Sequence, residues 1–142
     1  MPDTYNPTLP ASYSFTDRRD VLPEEIMRLR ESVGWSADTP ERWSKILNDS
    51  LEVIIVRDES NGLVGLAFIA GNLRHAVMCD LVVAPAHQQR GIGEAIMAKL
   101  EQSVKILGVK YVYAELAKTN PFREKMVQSG FQDTGDSLFR EV

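Results

Sequence analysis

Apolar side chains recur along this chain with two periods. From 92 to 107 they fall at Ile92, Ile96, Leu100, Val104 and Leu107, close to the 3.6-residue repeat of a helix with one buried face, and Gly108 closes it. A second helical pattern, 23–35, sets Ile26, Leu29 and Val33 on one face. Two glutamates in its first turn favour the helix dipole, and Gly34 ends it. Thr39-Pro40 is an N-cap and first helical position, followed by the stripe Trp43, Ile46, Leu47. Strand patterns occupy 12–16, 51–58, 63–71, 75–83 and 110–116, with Asn61-Gly62 as a hairpin turn. The stretch 75–83 is apolar almost throughout, which predicts a central strand. A short helix opens on Pro121 and runs to 129, and 130–142 supplies one or two final strands.

The order is β, α, α, β, β, β, α, β, α, β. An antiparallel meander feeds a β-α-β crossover. This predicts a mixed α/β fold whose sheet is antiparallel in its N-terminal half and turns parallel in its middle, with helices on both faces. Residues 1–11 carry three prolines and little apolar content, and read as an arm ahead of one domain over 12–142.

Charge and composition narrow the function. Lys and Arg number 16 against 20 Asp and Glu, a net charge of -4. That argues against nucleic acid as the main partner, because phosphate binding leans on a positive field. Cys79 is the one cysteine, so no internal disulfide forms. The longest apolar run, 63–71, is too short to span a bilayer, and the N-terminus lacks a secretory signal. The reading is a cytoplasmic protein without a membrane segment.

Candidate chemistry begins at HQQRGIGEAIM, 87–97, where Gly91 and Gly93 open a helix directly after a strand. A helix N-terminus exposes unpaired N–H groups and partial positive charge, and glycine lets a phosphate approach closely. A Walker A loop would need Gly-Lys-Ser/Thr, where this chain has Gly93-Glu94-Ala95. A dinucleotide fingerprint would need a third small residue where Ile96 stands, and a Rossmann first strand before it. The plain alternative is a tight turn that binds nothing.

Gln88-Gln89-Arg90-Gly91-Ile92-Gly93, following LVVAP, matches Q/R-x-x-G-x-G/A. Asn120, a short helix and Gly130-Phe131 match an N…GF ending. Together they resemble the GCN5-related N-acetyltransferase (GNAT) superfamily over roughly 12–142. The resemblance implies acetyl-CoA as acyl donor and no metal. The main chain of Leu81, Val82 and Val83 would pair with pantetheine where the strand splays from 110–116. Backbone N–H groups of Gln89, Arg90, Gly91, Ile92, Gly93 and Glu94 would hold the pyrophosphate. Gln88 and Arg90 side chains would add contacts, with a solvated surface charge the alternative for Arg90, and Asn120 would touch the cofactor near the thiol or pantetheine or else cap the helix at Pro121. Lys125 reads as a solvated helix face.

The implied reaction is direct attack on the thioester by a primary amine of a small molecule or peptide. A base must take the amine's proton, and a backbone N–H near Val82 would meet the oxyanion. Asp80, a lone carboxylate in an apolar strand, is the first candidate base, on the expectation that burial raises its pKa; Glu115 is the second. For Asp80 the alternative is a hydrogen-bonded structural carboxylate. Many family members carry a tyrosine four residues before the GF glycine as acid for the thiolate. Here Met126 stands there, leaving solvent or Tyr113 for that role. Cys79 sits mid-strand without an obvious histidine and reads as a small buried hydrophobe. Trp35, between the first two helices, is a candidate acceptor wall or a core residue. The resemblance is compatible with a homodimer. The alternative function is a non-catalytic acyl-CoA-binding or sensing protein on the same fold.

Overall fold

Seven strands form one sheet in the order β1-β2-β3-β4-β5-β7-β6 in the computed structural model of the chain, which describes residues 8–16, 19–115, 122–128, 130–133 and 138–141. The strands are β1 (Tyr13–Phe15), β2 (Glu52–Asp58), β3 (Leu63–Gly71), β4 (His75–Val83), β5 (Tyr111–Ala114), β6 (Gln132–Asp133) and β7 (Leu138–Glu141). The helices are α1 (Pro23–Ser32), α2 (Pro40–Asp49), α3 (Ile92–Leu107) and α4 (Phe122–Gln128). β1 to β4 form the predicted antiparallel meander. β4 and β5 are parallel, joined across α3, and β7 then returns antiparallel to β5. The parallel part of the sheet is therefore one strand pair wide.

Helices cover both faces. On one, Ile26, Leu29, Trp43 and Leu47 of α1 and α2 pack on Ile55, Phe68 and Val82. On the other, Ile92, Ile96, Leu100 and Val104 of α3 pack on Val56, Ala67 and Met78, joined by Met126 of α4. Ile26 and Ile96 are both 0% exposed, and each such side chain is worth about 1.5–3 kcal/mol of burial. Gly65 permits the close approach of α3, since a Cβ there would lie 2.9 Å from Ile96 Cδ1.

α1 ends at the glycine that the sequence pattern marks as its stop, with Ser32 its last helical residue and Val33 its C-cap. Gly34 takes φ 81°, its N–H bonds Glu31 O, and Trp35 N–H bonds Arg30 O. This Schellman cap satisfies the last carbonyls and turns Trp35 out of the helix. At the other end of α1, Glu25 receives both terminal nitrogens of Arg57, at 2.8 and 3.0 Å. Arg57 lies in β2 and is 5% exposed, so this pair ties α1 to the sheet from inside. Among the described residues no helix is long and apolar enough to cross a membrane.

Candidate functional site

Among the described residues β4 pairs with β5 over only the first half of its own length. The two pair from His75 to Met78, ending at a long Glu115 N–H to Met78 O bond of 3.4 Å. Cys79–Val83 then pair only with β3 among the described residues. A bulge in the β3–β4 ladder lies just beyond Met78. Leu66 faces Val82 but Phe68 faces Cys79, so β4 carries one residue more than β3 there. Asp80 sits in this bulge at φ 56°, a left-handed conformation that side chains other than glycine rarely adopt. The extra residue resets the alternation. Cys79 and Val82 lie on the α1/α2 face, whereas Leu81 and Val83 lie on the α3 face.

The same bulge decides which backbone groups are open. Ala84 N–H bonds Val64 O at 2.8 Å, so the antiparallel ladder assigns Val82 to β3 and turns Val83 outward. The expected oxyanion donor near Val82 is thereby corrected: its N–H is directed into the ladder. The outward carbonyl of Val83 accepts Gln88 Nε2 at 3.0 Å.

Beyond β4 the chain makes a single 3-10 turn, Pro85–His87, and reaches α3 through Gln89 at φ 62° and Gly91 at φ 83°. Left-handed residues next to a helix start fold successive N–H groups into a concave anion nest, reinforced by the helix dipole. A cleft of about 450 Å³ opens here. It is lined by Leu81, Val83, His87, Gln88, Gln89, Gly91, Ile92, Gly93 and Glu94. A Cβ on Gly91 would meet nothing within 4 Å, so packing does not require glycine; backbone angle and open approach do.

Most expected binding residues therefore meet in one cleft, with two exceptions. Val82 is buried under α1 and α2. Arg90 is not among the lining side chains and donates instead to Tyr13 Oη at 2.8 Å. Glu94 lines the cleft and binds Lys125 at 2.7 Å. Asn120 lies outside the described residues.

The expectation of a buried Asp80 is also corrected. Its side chain is 42% exposed, because the bulge points it at α1 rather than into the core. Arg30 Nη1 bonds Asp80 Oδ1 at 3.0 Å and Arg30 Nε bonds Ser36 O at 2.7 Å. The guanidinium lies over the rings of both Trp35 and Trp43, 5.1 and 5.2 Å from their centroids, and Trp43 stacks on Phe68. Trp35 itself is 41% exposed.

Cys79 feels the charge of two carboxylates, Asp80 and Glu115. Burial above all, then the charges of Asp80 and Glu115, pushes its thiol up to about 12. It stays protonated near neutrality, which removes the nucleophile a covalent route would need. Tyr113 is not brought to the cleft. It faces Val77 in the β4–β5 register and bonds His75 Nδ1 at 3.2 Å, about 13 Å of strand away from Leu81. Met126 is 2% exposed within the α3-side core.

Two residues of this region escaped the sequence reading. His87 lines the cleft, and Tyr13 bonds its Nδ1 at 2.7 Å. His87 stood beside the glycine motif and was the more legible of the two. Nothing local connects it to a tyrosine 74 residues earlier.

Known proteins share this sequence pattern and this fold. The sequence model of the acetyltransferase (GNAT) family matches residues 20–131. A curated relative from Prochlorococcus marinus, an uncharacterized N-acetyltransferase ycf52-like, is 29% identical over 105 residues, 71% of this chain. The aligned part is only 58% of that relative's length. A solved Staphylococcus aureus protein of unknown function, described as a probable acetyltransferase, is 25% identical with a TM-score of 0.72, covering 87% of this chain and 92% of that one. A GNAT family acetyltransferase from Elizabethkingia anophelis with acetyl-CoA bound shares the fold at 13% identity and a TM-score of 0.64, covering 94% of this chain and 100% of that one.

Proposed function

The chain belongs to the acetyltransferase (GNAT) family, and on that premise we propose that it moves an acetyl group from acetyl-CoA to a primary amine of a small molecule or peptide by direct attack. One observation carries this reading: a stretch of β4 with no β5 partner among the described residues runs into a glycine turn that lines a cleft of about 450 Å³ at the start of α3.

Acetyl-CoA supplies the activated thioester when bound. The open edge of β4 presents main-chain groups of Leu81 and Val83 to the pantetheine amides. N–H groups of Gln89 to Glu94 meet the pyrophosphate. The N–H of Leu81, beside the bulge, replaces that of Val82 as donor to the developing oxyanion, a role worth about 3 kcal/mol. On the α1 side, Asp80 receives the amine's proton through water. A primary amine is mostly protonated at neutral pH and cannot attack until that proton leaves. Glu115, exposed just past β5, is the second acceptor for it. Trp35 forms part of the acceptor wall. Solvent protonates the departing thiolate, since Tyr113 bonds His75 and Met126 is in the core.

The second reading is an acyl-CoA-binding protein without turnover. The buried Met126 at the usual tyrosine position and the Arg30 guanidinium on Asp80 favour it. Thermal unfolding with acetyl-CoA tests what both readings share. At a hundred times Kd a ligand bound only by the native state adds about 2.7 kcal/mol, seen as a raised midpoint. CoA release with a panel of amines then separates them: release supports the transferase, and none with any amine supports the binding protein. No midpoint shift at millimolar acetyl-CoA overturns both.

A further inference from the structure

Tyr13 and Asp58 are cross-strand partners in the β1–β2 pair, and the imidazole of His87 lies between them. His87 Nδ1 is 2.7 Å from Tyr13 Oη, and its Nε2 is 4.0 Å from Asp58 Oδ2. The two rings meet edge to face at 88°. Arg90, on the far side of His87 in the same turn, reaches the same hydroxyl at 2.8 Å.

Donor chemistry orders this chain. A guanidinium only donates, so the Tyr13 oxygen accepts from Arg90. The hydroxyl proton, polarised by that bond, is then best spent on His87 Nδ1. That leaves the imidazole proton on Nε2, on the side where Asp58 stands. One hydroxyl thus grips the turn at two points, residues 87 and 90. The residue between them that carries a positive φ is Gln89, and Gly91 follows directly. A left-handed Gln89 costs about 1–2 kcal/mol and persists only where its surroundings hold it.

We propose that Tyr13 is a positioning residue for the cofactor turn: through His87 and Arg90 it holds the left-handed backbone whose N–H groups face the cleft. This rests on the cofactor reading above. It assigns a role to a strand that forms the sheet edge and does not line the cleft itself.

The test is calorimetric titration of acetyl-CoA into the wild type and Tyr13→Phe, with ¹H–¹⁵N long-range spectra of the histidine rings. The chain has 2 histidines, so His75 is the internal control. Expected are an acetyl-CoA Kd raised about tenfold, the cost of losing hydrogen bonds to a charged group, and loss of the Nε2–H signature of His87 alone. Should Tyr13→Phe fail to fold, Arg90→Met cuts the chain at an exposed residue and is judged by the same Kd. A folded variant with Kd within twofold of wild type, or an unchanged His87 tautomer in Tyr13→Phe, overturns the proposal. A wild type that binds no acetyl-CoA overturns the cofactor reading as well.

Discussion

Arg30, Asp80 and Cys79 meet at one residue's worth of extra backbone. The bulge turns Asp80 out of the sheet, and Arg30, held over the rings of Trp35 and Trp43, receives it. If Asp80 takes the amine proton, Asp80→Asn lowers kcat by about a hundredfold or more while acetyl-CoA affinity stays within twofold. Steady-state kinetics beside calorimetry checks this, and parallel loss of both would make the carboxylate a support for the bulge. Cys79 gives the opposite expectation. With its thiol held at about 12, Cys79→Ala keeps turnover within a few fold, and iodoacetamide leaves the native protein unlabelled at neutral pH by mass spectrometry.

At the scale of elements, the junction of β4 and α3 combines the site's two requirements, a strand edge with no β5 partner among the described residues and a left-handed turn. Gly91→Ala tests the second, provided strain is separated from ligand contact. Gly108, at the other end of α3, supplies the control: its φ of 78° matches the 83° of Gly91, and neither position has an atom within 4 Å of an added Cβ. Both alanine variants are expected to lose about 1–2 kcal/mol of stability in denaturant unfolding. Only Gly91→Ala is expected to bind acetyl-CoA more weakly, by tenfold or more. Equal affinities in the two would show that the turn's open face does not meet the ligand.

For the whole molecule, the Glu25–Arg57 pair links stability to pH. The Arg57 hydrogen bonds hold the Glu25 carboxyl below its usual range, against the opposing pull of burial. The unfolded chain therefore binds the extra proton more readily. The pair's contribution is complete above about pH 4.3, the unfolded value, and is lost as pH falls through the lower folded one. Glu25→Ala takes the carboxylate from a buried guanidinium, leaving it the carbonyls of Asp20 and Asn61, and is expected to cost about 3 kcal/mol at neutral pH. Denaturant melts from pH 7 to pH 3 should show that cost shrinking on acidification, whereas a constant difference would argue that packing, not the ion pair, was lost.

Local signals in the sequence determined the elements and their order, the hairpin at Asn61-Gly62, the cap at Thr39 and the turn at Gly91. A helical period, a capping oxygen and a positive φ each depend on residues within a few positions of one another. The side chain of Thr39 does accept from Arg42 N–H, and the cleft opens where the glycines stand. Tertiary structure alone decided which partners those elements meet. The bulge at Asp80 comes from matching β4 against β3, and a run of apolar residues carries no mark of an unmatched one. An isolated carboxylate in such a run suggests burial, yet one residue of slippage reverses its face. Arg30 on Asp80 and Tyr13 on His87 join positions 50 and 74 residues apart, contacts that exist only after the sheet has closed.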